Sequence, residues 1–360
     1  MNRREFIGTL VAAGATLAAV PSVVLAEGGS GASSSPKPGS KHVAGVIPVT
    51  ALNHVALEVP DPARSVAWYQ RLFGLPIVAR HKNGTVVLRV GDGPQSLMIS
   101  GGGDGRPRIK HLCLGVDQFD PDRAVKILKR NGFAEAVTPG IMKFTRRDRD
   151  GTTELFFGDS QGLVMQLQDN SYCGGSGPLG NQCGDILKPA PHKGLLKITD
   201  LNHVTCFVTD MGSDVHAYQA LFGFQIDTFQ GPTPILRVGS GNQQLILVGG
   251  FNWPGGNQID HVCFDVEDFD VKRISKVLNG YGVKFRGQTM RAKGPMVSYW
   301  TRRLPDRGGD PNGTAEFYFS DPDGIYLQLQ DARYCGGSGY LGDKCGTPEH
   351  PTGRGQHHGH

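Results

Sequence analysis

Apolar positions along this chain switch between two periods in a fixed order, and the order itself recurs. A stretch with strand character comes first, LNHVALEV at 52–59. A helical stretch follows, with Val66, Tyr69, Leu72 and Phe73 on one face at i, i+3, i+6 and i+7. Asp61-Pro62 supplies its N-cap and first residue, and Gly74 ends it. Short strands are predicted near 75–80, 85–90 and 95–100. A second histidine-bearing strand, IKHLCLGV at 109–116, precedes a helix opened by Asp120-Pro121, with Val125, Ile127 and Leu128 on its apolar face. Further strands end in LVMQLQ at 163–168. The predicted order is β-α-β-β-β, twice in this half.

The second half repeats the first. Leu52-Asn53-His54-Val55 returns as Leu201-Asn202-His203-Val204, and Leu88-Arg89-Val90-Gly91 as Leu236-Arg237-Val238-Gly239. Val215, Tyr218, Leu221 and Phe222 repeat the first helix face. A period near 150 residues is too long for a solenoid and fits two tandem domains. The expected fold class is α+β, with domains at 46–184 and 198–346 joined by a proline-containing linker at 185–197.

The ends are of another character. Arg3-Arg4, an apolar stretch to Val24 and Val24-Leu25-Ala26 read as a twin-arginine export signal over residues 1–26. A Gly/Ser/Pro linker covers 27–45, and a His-containing tail covers 347–360. Signal removal takes the formal charge from +4 to about +3 and leaves no expected membrane span. No basic stripe interleaved with aromatics argues for nucleic acid. The expected location is periplasmic or secreted. In that setting Cys173 with Cys183, and Cys335 with Cys345, read as two local disulfides closing glycine-rich loops. Cys113, Cys206 and Cys263 fall in apolar strands and read as small buried residues.

The candidate chemistry is a repeated pair of histidines with a later third donor. His54 and His111 lie 57 residues apart, and His203 and His261 lie 58 apart. Each pair precedes a strand–turn–strand segment, ELFFGDSQGLVMQ at 154–166 or EFYFSDPDGIYLQ at 316–328. The third position is glutamine, Gln166 or Gln328, where a carboxylate would complete a two-histidine, one-carboxylate metal face.

These strands resemble the vicinal oxygen chelate superfamily, which includes glyoxalase I, bleomycin-resistance proteins and extradiol dioxygenases. The resemblance covers residues 48–170 and 197–332. It implies paired βαβββ modules forming a cupped, incomplete barrel around one divalent metal. Tyr318, Asp321, Pro322, Gly324 and position 328 follow the spacing of the extradiol dioxygenase signature, which has Glu where Gln328 stands and an upstream His that this chain lacks. The resemblance implies His54, His111, Gln166, His203, His261 and Gln328 as metal ligands and Tyr318 as a donor to a metal-bound substrate oxygen. Iron(II) or manganese(II) leads as the metal, with zinc or nickel as alternatives. Glu154 and Glu316, two residues before Phe156 and Tyr318, share their strand face and form a second candidate set of carboxylates. The bland alternative for Glu316 is a rim carboxylate paired with Arg237.

Three functions fit these residues: a dioxygenase acting on a small oxygen-rich or catecholic molecule, a glyoxalase-like lyase or isomerase, and a non-catalytic small-molecule binding protein. The sequence does not indicate an oligomeric state.

Overall fold

The computed structural model describes residues 45–184, 186–250, 256–289, 291–292 and 294–345. The export signal, most of the linker behind it and the tail lie outside the described residues.

The first half runs β1 (Val49–Val59), α1 (Pro62–Phe73), β2 (Ile77–Arg80), β3 (Val86–Arg89), β4 (Ser96–Gly101), β5 (Arg108–Val116), α2 (Pro121–Arg130), β6 (Ala134–Glu135), β7 (Lys143–Arg149), β8 (Thr152–Gly158) and β9 (Val164–Asp169). The second runs β10 (Ile198–Phe207), α3 (Met211–Phe222), β11 (Gln225–Gln230), β12 (Thr233–Arg237), β13 (Gln244–Val248), β14 (Gln258–Val266), α4 (Val271–Gly280), β15 (Lys284–Gln288), β16 (Val297–Arg303), β17 (Thr314–Ser320) and β18 (Tyr326–Gln330). The second module of each half therefore has four strands after its helix, where the sequence pattern predicts three. The extra strand is β6 or β15, too short or too exposed to show an apolar period.

Each half folds as one nine-stranded sheet, in the order β2-β3-β4-β1-β5-β9-β8-β7-β6 and its repeat β11-β12-β13-β10-β14-β18-β17-β16-β15. The first strands of the two modules meet antiparallel at the centre, and each runs parallel to its own module's last strand. The helix ends follow the sequence. Asp61 and Asp210 cap α1 and α3 through their side chains, and Gly74 and Gly223 close them in the left-handed conformation.

Strand alternation separates core from cup. In β1, Val55, Leu57 and Val59 enter the core, which leaves His54, Ala56 and Glu58 on the opposite face. In β5 the core takes Leu112, Leu114 and Val116, and His111 and Cys113 face the cup. In β18, Leu327 and Leu329 face the core, and Tyr326 and Gln328 the cup. One continuous core spans both halves. Helices α1 and α3 lie in it, and each reaches the other half. Phe73 packs on Phe264 and Phe319, and Phe222 on Phe157.

Two buried hydrogen bonds tie the halves reciprocally. The Tyr69 hydroxyl donates to Asp321 Oδ2 at 2.9 Å, and the Tyr218 hydroxyl to Asp159 Oδ2 at 2.6 Å. Each carboxylate also accepts backbone N–H bonds that close the turn before β18 or β9. Burial raises the carboxyl pKa of both, Asp321 to about 6. Among the described residues no helix is long and apolar enough to cross a membrane.

Removing one tyrosine hydroxyl leaves a buried carboxylate oxygen without its donor. Tyr218→Phe should destabilise the protein by about 1–3 kcal/mol, and Tyr69→Phe by a similar amount. The double variant should be near-additive, because the two ties are separate. Denaturant unfolding midpoints at pH 7 check this.

Candidate metal centre

The register of the three central strands builds the site. Cys113 lies opposite His54 on β1 and beside Gln166 on β9, so His54, Cys113 and Gln166 form one row across the sheet. His203, Cys263 and Gln328 form the same row in the second half. His111 and His261 stand two residues before these cysteines, on the same face. Each half thus brings its two histidines and its glutamine together, as the repeat predicts. Cys113 and Cys263 are buried in that face.

The second half makes the tighter cluster. His203 Nε2 lies 3.0 Å and His261 Nε2 2.9 Å from Gln328 Oε1. The far nitrogen of each ring is held by a hydrogen-bond acceptor. His203 Nδ1 lies 2.7 Å from Asn202 Oδ1, and His261 Nδ1 2.8 Å from Asp260 Oδ2. Asn202 has no freedom to turn over, because its amide nitrogen donates to Asp265 Oδ1 and to the Tyr334 carbonyl. His203 therefore carries its proton on Nδ1 and presents its Nε2 lone pair to the Gln328 carbonyl, and His261 points Nδ1 at Asp260 and Nε2 at the same carbonyl. Two ring nitrogens and an amide oxygen converge there, and the Gln328 amide nitrogen is buried without a partner. This donor set fits a cation. Two ligands about 2.1 Å from one metal, at right angles to each other, are separated by roughly 3 Å. Among the described residues no group of three or more His, Cys, Asp and Glu side chains could hold a metal. The cluster is two imidazoles and a neutral amide.

The first half is arranged differently. His54 Nδ1 is held by Asn53 Oδ1 at 2.8 Å, and its Nε2 lies 3.2 Å from Gln166 Oε1. His111 Nε2 lies 3.4 Å from His54 Nε2, so a proton on His111 can satisfy the pair. Lys110 occupies the position of Asp260, and Arg147 that of Thr301. Burial and then the charges of Lys110, Arg147 and Arg149 drive the His111 pKa down to about 3, with Gln166 opposing. Ala56, Val78, Ala79, Val87, Met98 and Tyr172 form a separate apolar cluster on the cup face.

The second cup is open. A cavity of about 360 Å³ reaches His203, His261 and Gln328. Phe207, Ile246 and Val248 line one side, and Tyr299, Tyr318 and Tyr326 line another. The Tyr318 ring stacks on Tyr299 and meets His261 edge-on at 5.6 Å. At the mouth Arg291 donates to Asp260 Oδ1 at 2.7 Å and lies over the Tyr326 ring. Burial alone would raise the Asp260 pKa, but His261 and Arg291 together hold it below the usual carboxylate range.

Glu316 lines this cavity and is already occupied. Its partner is the fully buried Arg303, Nε to Oε1 at 2.7 Å, and not Arg237, which faces Asp227 at 3.4 Å. Tyr318 donates to its other oxygen at 3.2 Å. Glu154 is paired in the same way with Arg149. Each carboxylate is held by an arginine. Sequence reasoning did not single out Asn202, Asp260, Arg303 and Tyr334. The repeats LNHV and YCGGSG carried a signal for the Asn and Tyr, whereas nothing local marked Arg303.

Comparison with known proteins agrees with this architecture. Residues 51–164 match the Glyoxalase/Bleomycin resistance protein/Dioxygenase superfamily. The chain carries a domain of that superfamily. Its fold is two tandem vicinal oxygen chelate domains of α+β class, similar to solved structures at low sequence identity. The 2,3-dioxygenase LapB from Pseudomonas sp. KL28 aligns with TM-score 0.55 and 15% identity, over 79% of this chain and 92% of that one. Homoprotocatechuate 2,3-dioxygenase from Brevibacterium fuscum, in complex with 3,4-dihydroxyphenylacetate, aligns with TM-score 0.54 and 17% identity, over 82% and 84%. The Mn(II)-bound glyoxalase from Novosphingobium aromaticivorans aligns with TM-score 0.52 and 15% identity, over 79% and 82%. No curated protein sequence matches the chain.

The tautomers are directly testable. Imidazole ¹⁵N shifts of the metal-free protein should show His54 and His203 neutral and protonated on Nδ1 down to pH 5. Burial, then the neighbouring histidine, lowers both pKa values well below 6.5. The unfolded chain takes up protons below pH 6.5 that these folded rings refuse. Stability should therefore fall as pH drops below 6.5, by up to about 1.4 kcal/mol per pH unit for each such histidine.

Proposed function

We propose that the protein binds one divalent metal in its C-terminal cup, through His203, His261 and Gln328, and uses it as an exported, dioxygenase-like protein. The ligand is a small molecule with two adjacent oxygens, such as a catechol. The observation that carries this reading is the meeting of two imidazole Nε2 atoms and one amide oxygen at the floor of an open cavity. Iron(II) or manganese(II) suits the imidazole and oxygen donors, and manganese(II) is bound in the structurally similar glyoxalase from Novosphingobium aromaticivorans. Export to the periplasm or medium is supported by the twin arginines at the N-terminus and by the two disulfides.

A metal there supplies Lewis acidity and alignment to a chelating ligand. The chain supplies the rest. Phe207, Ile246 and Val248 form an apolar wall for a flat ligand and limit water. The Tyr318 hydroxyl donates to Glu316, which Arg303 holds in place. It can instead donate to a ligand oxygen, and Glu316 is then free to receive a proton from the ligand. His54, His111 and Gln166 serve as a buried polar network in the first half, where Lys110, Arg147 and Arg149 oppose a cation.

One observation favours a second reading. If the Gln328 amide turns over, its two N–H groups donate to both Nε2 atoms, and the cup is satisfied without metal. The protein is then a non-catalytic binder of small molecules.

Metal content and oxygen uptake separate these readings. Wild type should carry about one metal per chain, and Gln328→Ala should lose at least ~10-fold in metal affinity. Gln328→Glu should bind metal more tightly, because a carboxylate adds the missing negative charge. Ligand binding that survives chelation, with no metal in wild type, would establish the binder instead. Metal-dependent turnover without oxygen uptake would assign the lyase or isomerase.

A further inference from the structure

The disulfide-closed loop after each domain's last strand lies outside the part of the chain that the superfamily resemblance covers. In the second half it reaches the floor of the cup. Tyr334, immediately before Cys335, accepts the Asn202 amide N–H on its carbonyl oxygen at 3.1 Å. The carbonyl of that same amide holds the His203 Nδ1 proton. The Tyr334 ring packs on the His203 ring, with centroids 5.5 Å apart. Its hydroxyl accepts from Gln230 Nε2 at 3.0 Å and faces Glu316 Oε1 at 3.4 Å.

The loop is shaped to press this tyrosine into place. Cys335 N and Gly337 N both donate to the Gly342 carbonyl, at 3.0 and 3.2 Å. Gly342 has φ +70°, and a Cβ there would lie 2.5 Å from the Tyr334 ring, so only glycine lets the loop lie flat on it. Arg303, which holds Glu316, donates to the Gly337 carbonyl at 2.9 Å. Thr314 donates to the Gly339 carbonyl at 2.7 Å. The Cys335–Cys345 disulfide closes the loop behind these contacts. The first half repeats the design. Tyr172 O accepts Asn53 Nδ2 at 2.8 Å, and Gly180 lies against the Tyr172 ring.

We propose that the Cys335–Cys345 loop is a clamp for the metal centre. Through Tyr334 and Asn202 it fixes the tautomer and the aim of His203, so tight metal holding in the C-terminal cup depends on this disulfide. Tyr334 and Asn202 are positioning residues. The effect on metal rests on the metal reading above, whereas the effect on the His203 tautomer does not.

The test uses the mature full-length chain and Co²⁺ as probe, with affinity and visible absorption as readouts. Imidazole ¹⁵N shifts are recorded on the metal-free protein, and a thermal melt confirms folding. Asn202→Ala and the double variant Cys335→Ser/Cys345→Ser should each bind Co²⁺ about 10–100-fold more weakly, with an altered absorption band. Each should also lose the single Nδ1–H signal of His203. Cys173→Ser/Cys183→Ser should leave the C-terminal site unchanged. If the double Ser variant does not fold, Asn202→Ala carries the test, since it cuts the link and keeps the disulfide. A folded variant with wild-type affinity, spectrum and His203 tautomer overturns the clamp. A wild type that binds no Co²⁺ overturns the metal reading, and the tautomer then decides the clamp alone.

Discussion

Two imidazole nitrogens and one amide oxygen meet about 3 Å apart at the floor of the C-terminal cup. Buried acceptors facing one another are costly unless a donor or a cation lies between them. The surrounding structure holds the arrangement in place. Asn202 and Asp260 accept from the far side of each ring and fix how the two rings are aimed. Asp260 is held by Arg291, and Asn202 by Tyr334 and Asp265. A break in register between Leu201 and His203, repeated between Leu52 and His54, lets consecutive Asn and His side chains meet from one strand.

The duplication exposes which of these features are general to the fold and which belong to the site. Both halves keep the Asn–His pair, the Gln, the arginine behind the glutamate and the tyrosine before the cysteine loop. These shared parts are a buried polar frame that any such cup would need to satisfy itself. The halves part at the residues that set charge and space. Asp260 stands opposite Lys110, Thr301 opposite Arg147 and Tyr318 opposite Phe156. The first half sets Lys110, Arg147 and Arg149 near His111 and carries an apolar cluster beside it. The other kept a carboxylate behind its histidine and an open, tyrosine-lined cavity. A His–His–Gln face carries one negative charge fewer than a His–His–carboxylate face, so a metal held here is the more electrophilic.

Much of this was legible in the chain. Strand alternation placed His54, His111, His203 and His261 on one face of each sheet, because the core claims every second residue. Asp-Pro and Gly marked the ends of α1. Alternation sets Glu316 on the face of Tyr318, but its partner Arg303 reaches it across a strand pair, and no short-range pattern records that. The count of strands failed at β6 and β15, which carry no apolar alternation. The role of the cysteine loop was invisible for a similar reason. It acts through the Tyr334 backbone carbonyl, and carbonyls have no sequence signature.

The most direct test of the account is anomalous diffraction from crystals of the protein soaked with manganese(II), collected on both sides of the metal edge. One strong peak per chain is expected, within bonding distance of His203 Nε2, His261 Nε2 and Gln328 Oε1. None is expected between His54, His111 and Gln166. An empty C-terminal cup, with the Gln328 amide nitrogen turned toward both histidines, would contradict the account.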